Sequence, residues 1–168
     1  MYCVGDKVVH PMHGAGIVKD MKEIELSGIK REYYVVCFAV GNMISDIPVD
    51  GCEKIGIRDV ITKDEAKKVL EFFHNFKVGN DINWNKRQRE NIVKLKSGDI
   101  YQVTGVLKEL MCREKRKGLS TSERKTLCSA KQIVLSELIL SEVADESDIE
   151  MILDDSVTEA VEAKNNGD

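Results

Sequence analysis

The sequence predicts an α+β chain of two small domains, an antiparallel β-barrel of SH3 or Tudor type followed by a compact all-α bundle. Apolar residues recur with strand character up to about Ile61 and with helical periodicity from Thr62 onward. Glycine-bearing turns punctuate the first stretch, whereas serine, threonine and aspartate caps punctuate the second. A length of 168 residues suffices for one ordinary domain or two small ones.

Val8-Val9, Ile17-Val18, the run Tyr33 to Val40 and Met43-Ile44 are β-branched and aromatic, as strands are. Pro11-Met12-His13-Gly14, Ser27-Gly28 and Gly41-Asn42 separate them, and Gly41-Asn42 suits a two-residue hairpin because glycine takes positive φ without steric cost. Four or five short antiparallel strands in so few residues hide their edges by curling, which is why a small barrel is expected.

Thr62-x-x-Glu65 is a capping box opening a helix that ends near Phe72, Phe73 and Phe76. Asn83 or Asp81 caps a second helix, closed at Ser97-Gly98. Asp99 starts a third, with Ile100, Val103, Val106, Leu107, Leu110 and Met111 on one stripe and Gly118 at its end. Ser120-x-x-Glu123 is a second capping box, leading into Leu127, Ala130, Val134 and Leu138. A last short helix is expected from Ser147-x-x-Glu150. The expected domains are therefore residues 1–61 and 62–155, with 156–168 as a frayed acidic tail.

A net charge of −4 conceals a division along the chain. Residues 84–131 hold 13 basic and 5 acidic side chains, whereas 132–168 hold 1 basic and 11 acidic. A basic block inside an acidic protein suggests local attraction for a polyanion. No apolar run reaches the ~18 residues of a membrane span, and no signal-peptide pattern opens the chain, so a cytoplasmic location is expected.

Chemistry of an enzymatic kind finds little support. Five scattered cysteines form no Cys-x-x-Cys, and His10 and His13 have no nearby third ligand in sequence. Phosphate-loop, dinucleotide and nucleophile-elbow motifs are absent. His13-Gly14-Ala15-Gly16 precedes a strand rather than a helix, so it reads as a tight turn and not as a phosphate cradle. Neither a metal nor a cofactor is implied, and the expectation is a protein that is not an enzyme.

Binding chemistry is better represented. Asn83-Trp84-Asn85-Lys86-Arg87-Gln88-Arg89 places the only tryptophan in the first turn of a helix, beside three cations able to neutralise phosphates. Arg113 to Lys117 supplies a second basic run at a helix end, and Arg124, Lys125 and Lys131 extend it if the helices pack antiparallel. Trp84 admits two roles. It shares a helical stripe with Gln88, Ile92 and Leu95, which favours burial. Its place in the first turn lets the ring project past the helix end, where an aromatic flanked by cations can wedge against stacked bases.

Val4-Gly5-Asp6-Lys7-Val8-Val9-His10-Pro11-Met12-His13-Gly14-Ala15-Gly16 resembles the opening of the CarD and CdnL bacterial transcription regulators, whose first module is shared with the transcription-repair coupling factor. Asn83-Trp84-Asn85-Lys86-Arg87 and Lys115-Arg116-Lys117-Gly118-Leu119-Ser120-x-x-Glu123-Arg124 resemble later signatures of the same family, so that the similarity covers about residues 2–155. The coupling factor is a large ATP-driven translocase, and this chain lacks its length and nucleotide motifs.

The resemblance implies a Tudor-like module bound to the RNA polymerase β subunit by strand addition, through Ile44, Ser45, Asp46, Ile47 and Pro48. It also implies a helical domain at the upstream edge of the promoter bubble. By this match Trp84 would be the wedge and Lys86, Arg87 and Arg89 would hold the DNA backbone, while the charge pattern adds Lys115, Arg116, Lys117, Arg124 and Lys125 to the expected DNA-binding set. A changed open-complex lifetime, ribosomal RNA promoters included, is the implied outcome for a monomer associated with the nucleoid. Ser45-Asp46-Ile47-Pro48 departs from the family, which often has a cation before the Ile/Val-Pro pair, and His10 stands where tyrosine is usual. The alternative is a protein-interaction adaptor whose basic helices are merely solvated.

Overall fold

Residues 1–79 and 83–167 are described by the computed structural model. Five strands, β1 (Lys7–His10), β2 (Gly14–Leu26), β3 (Ile29–Phe38), β4 (Ile44–Pro48) and β5 (Arg58–Asp59), form one antiparallel sheet in the order β4-β3-β2-β1-β5. This is the expected Tudor-like half, closed over Val8, Val18, Tyr34, Val36, Phe38 and Ile47. A short helix, α1 (Cys52–Ile55), leads into β5.

The β2–β3 hairpin is longer than the strand pattern suggests. β2 runs to Leu26 through a segment alternating in charge, because beyond Met21 it pairs only with β3 and has no buried residue. Ser27 and Gly28 both take positive φ, 53° and 79°, as the tight turn of a twisted hairpin requires.

Helices α2 (Lys63–Asn75), α3 (Trp84–Lys96), α4 (Ile100–Arg116), α5 (Thr121–Leu140) and α6 (Glu146–Asn165) build the bundle. Thr62 and Ser120 make the two capping boxes, Asp99 caps α4, and Asn83 caps α3, its Oδ1 accepting from Asn85 N at 2.9 Å. Asp81, the other candidate cap, lies outside the described residues. The expected core stripes of α4 and α5 are buried save for Met111, which is partly so.

The C-terminal segment corrects the sequence-based expectation. Asp145, not Ser147, caps α6, with Oδ1 accepting from Asp148 N, and the helix continues for 20 residues. Ser156 and Val157 are buried and Ala160 and Val161 pack on the core, so residues 156–165 belong to the bundle and are no frayed tail. The dense acidic residues of this helix occupy its outer face and obscure a sparse apolar stripe.

The two halves meet along the second half of α5. Gly14, at φ 86°, lies so close to α5 that a Cβ there would overlap Ser136 and sit 2.9 Å from the Gln132 carbonyl oxygen. Ala15 N donates to Ser136 Oγ at 2.8 Å, Gln132 Nε2 to the His13 carbonyl at 3.1 Å, and Lys7 Nζ to the Leu140 carbonyl at 2.9 Å. Arg58 donates through both terminal nitrogens to Glu137, at 2.6 and 2.8 Å, and Ile61 N adds a third bond to that carboxylate. Glu137 is fully buried, so this bidentate pair supplies the partner without which a buried charge is costly.

Candidate nucleic-acid and partner interfaces

Trp84 is the first residue of α3, directly after its Asn83 cap. Its Cα–Cβ bond leans toward the helix N-terminus, as all helical side chains do. Trp84 is 44% exposed, more than the core placement that the helical stripe favours would allow.

Arg87, one turn further on, does the opposite. It is 4% exposed and donates from Nη2 and Nε to Glu123 Oε1, at 2.7 and 3.2 Å. Glu123 is 2% exposed, lies in the first turn of α5, and also accepts from Ser120 N in the capping box; Arg113 Nε approaches Oε1 at 3.8 Å. Burial raises the Glu123 pKa, but the hydrogen bonds from Arg87 and Ser120 and the charges of Arg87 and Arg113 outweigh it and hold it below the usual carboxylate range. Gln88 Nε2 adds a bond to Thr126 Oγ1 at 3.2 Å. Arg87 is thus the clamp that fixes the start of α3 to the start of α5, and the expectation of a phosphate-holding Arg87 is corrected.

The other cations divide. Lys86 and Arg89 are exposed on α3, Lys86 within 4.0 Å of Glu90 and Arg89 Nε donating to the Asn85 carbonyl at 3.3 Å. Arg124 and Lys125 are exposed in the first turn of α5, next to Glu123. The Arg87–Glu123 pair joins the start of α3, which carries Trp84, Lys86 and Arg89, to the start of α5, which carries Arg124 and Lys125, and both helix N-termini favour anions. Lys115 instead bonds Thr158 Oγ1 of α6, Arg116 is half-buried against α6, and Lys117 sits at the C-cap of α4.

β4 is an edge strand, hydrogen-bonded only to β3 among the described residues. Ile44 is 66% exposed and Ser45 and Pro48 are half-buried, but Ile47 belongs to the core, so a partner could reach it only through its backbone. Asp46 pairs with Lys22 of β2 at 2.6 Å. His10 and His13 stack with centroids 4.4 Å apart, and no group of three potential metal ligands occurs among the described residues.

Family models match both halves, the CarD-like/TRCF RID domain over residues 2–61 and the CarD C-terminal domain over residues 68–154. This chain belongs to the CarD family. It is also 34% identical over 138 residues to "Putative transcription factor YdeB" of Bacillus subtilis, covering 82% of this chain and 90% of that protein. A CarD-like transcription factor is therefore the class, and no helix among the described residues is long and apolar enough to cross a membrane.

Glu123, legible in sequence only as a capping-box residue, and Glu137, not assigned there, are the two carboxylates that join the elements of this CarD-family chain. Both fall on the apolar stripe of α5, with Leu127, Ala130 and Val134 at helical spacing between them. A charged residue on a core stripe requires a partner, and that signal would have found them.

Proposed function

We propose that this CarD-family protein binds the RNA polymerase β subunit through the β4 edge and stabilises open promoter DNA by placing Trp84 at the upstream edge of the bubble. The observation that carries this reading is the exposed indole on a helix start that a buried ion pair holds in place. A wedge needs a rigid base, because an aromatic on a mobile turn would spend its contact energy on its own ordering. Lys86, Arg89, Arg124 and Lys125, exposed on the two helices that the pair joins, would meet backbone phosphates. An indole that touches only melted DNA shifts the closed–open equilibrium by its differential affinity, a contribution of about 1–3 kcal/mol. Edge-strand addition supplies recruitment through backbone hydrogen bonds, with Ile44 as the exposed apolar contact. Promoters with short-lived open complexes would respond most, and ribosomal RNA promoters are the candidates that the family resemblance suggests.

Arg87 is buried, Arg116 is half-buried and the exposed Lys115 is bonded to Thr158 of α6, and this favours a second reading, an adaptor that binds polymerase alone. Both are tested by retention on immobilised RNA polymerase together with the lifetime of a preformed promoter complex after competitor is added. Retention with a lengthened lifetime supports the wedge, retention with an unchanged lifetime supports the adaptor, and loss of retention contradicts both.

A further inference from the structure

A cavity of about 550 Å³ opens between the end of α2, the segment that follows it, α4 and α6, and no residue of α3 or α5 lines it. We propose that it binds a small organic anion, a molecule of metabolite size with a phosphate or carboxylate group and an apolar or ring portion. Its volume is that of small-molecule sites in general. Lys77, Lys108, Arg116, Lys164 and His74 line it, and among the described residues no aspartate or glutamate does. In a chain of net charge −4 this is a marked local reversal, and Lys164 is the only cation of the otherwise acidic α6.

Lys108 carries the proposal furthest. It is 1% exposed, its Nζ donates to the His74 carbonyl at 2.7 Å and stands 5.5 Å from the Phe73 ring centroid, and no carboxylate lies within ion-pair distance among the described residues. An ammonium has three donors, and a buried one without a counter-ion is costly. Arg116 Nε is likewise buried with no hydrogen-bond partner among the described residues. An anion in the cavity would supply the missing charge and acceptors to both. Phe76, Val78, Ala160 and Val161 offer apolar wall for the rest of the ligand.

The test uses the full chain and three probes. Anilinonaphthalene sulfonate reports entry into an apolar cavity by fluorescence, while adenosine monophosphate and benzoate, as phosphate and carboxylate, compete with it. Saturable binding is expected, with displacement by one or both competitors. Lys164→Glu and the near-isosteric Lys108→Met should each weaken it about tenfold, as loss of a charge-assisted bond implies, while Trp84→Ala leaves it unchanged. Thermal unfolding of each variant checks that the bundle is intact. No saturable binding to the wild-type chain overturns the proposal, as does equal affinity in folded Lys164→Glu and Lys108→Met. Displacement by a short DNA duplex but by neither small competitor would also overturn it, assigning the cavity to nucleic acid.

Discussion

Arg87 and Trp84 sit three positions apart on nearly the same face of α3, and their fates differ because Trp84 stands at the helix end, while the turn beneath it is covered by α5. Replacing Arg87 with alanine leaves the Glu123 carboxylate buried beside only Arg113 and the cap, a change that costs about 3–5 kcal/mol when a buried pair is broken. The pH dependence has a definite sign. The Glu123 pKa is lowered in the folded state, so its stabilisation is present above the ordinary glutamate range and lost as pH falls through the folded value. Removing Arg87 raises that pKa, so Arg87→Ala should cost most near pH 7 and progressively less on acidification below about pH 4.5. Chemical denaturation of both proteins across this range measures it; a cost independent of pH would mean that the pair does not anchor α3.

At the scale of elements, α5 does the joining. Its first turn receives α3 through Glu123, and its second half receives the β1–β2 turn at Ser136, against which Gly14 packs, and β5 through the Arg58–Glu137 pair. Gly14→Ala adds a Cβ at a positive φ and against a helix backbone that cannot give way, so a loss of about 1–3 kcal/mol is expected in thermal or denaturant unfolding. Gly28→Ala is the control, since its φ is also positive but open space surrounds it; equal losses would show that φ alone matters. The helix starts were legible in sequence because caps are local: Thr62, Asp99 and Ser120 bond within three residues of themselves. The length of β2 and of α6 was not, because neither has a continuous core behind it, and β2–β3 pairing depends on partners distant in the chain. Of the site, Trp84 and the exposed cations were legible as types and positions. Which cation turns inward was not, since Arg87 meets a carboxylate 36 residues away.

For the whole molecule, α5 is a bar of 20 residues, about 30 Å long, with the wedge at one end and the β-module docked along the other. In the proposed function the β4 edge and Trp84 would thereby be held at a fixed spacing, and both halves would be needed. DNA affinity without polymerase should be weak, with a log–log salt slope of roughly 3–4 in magnitude if Lys86, Arg89, Arg124 and Lys125 each neutralise one phosphate. A filter-binding or anisotropy titration at several salt concentrations reads it directly, and a flat response would remove the basic face from the account. Trp84→Ala tests the central claim most directly, with open-complex lifetime measured on a short-lived promoter and polymerase retention and melting temperature determined for the same protein. Because the indole is 44% exposed, its removal should leave melting temperature and retention close to wild type while the lifetime falls toward that of polymerase alone. A folded, polymerase-bound Trp84→Ala protein that sustains the wild-type lifetime would contradict the account.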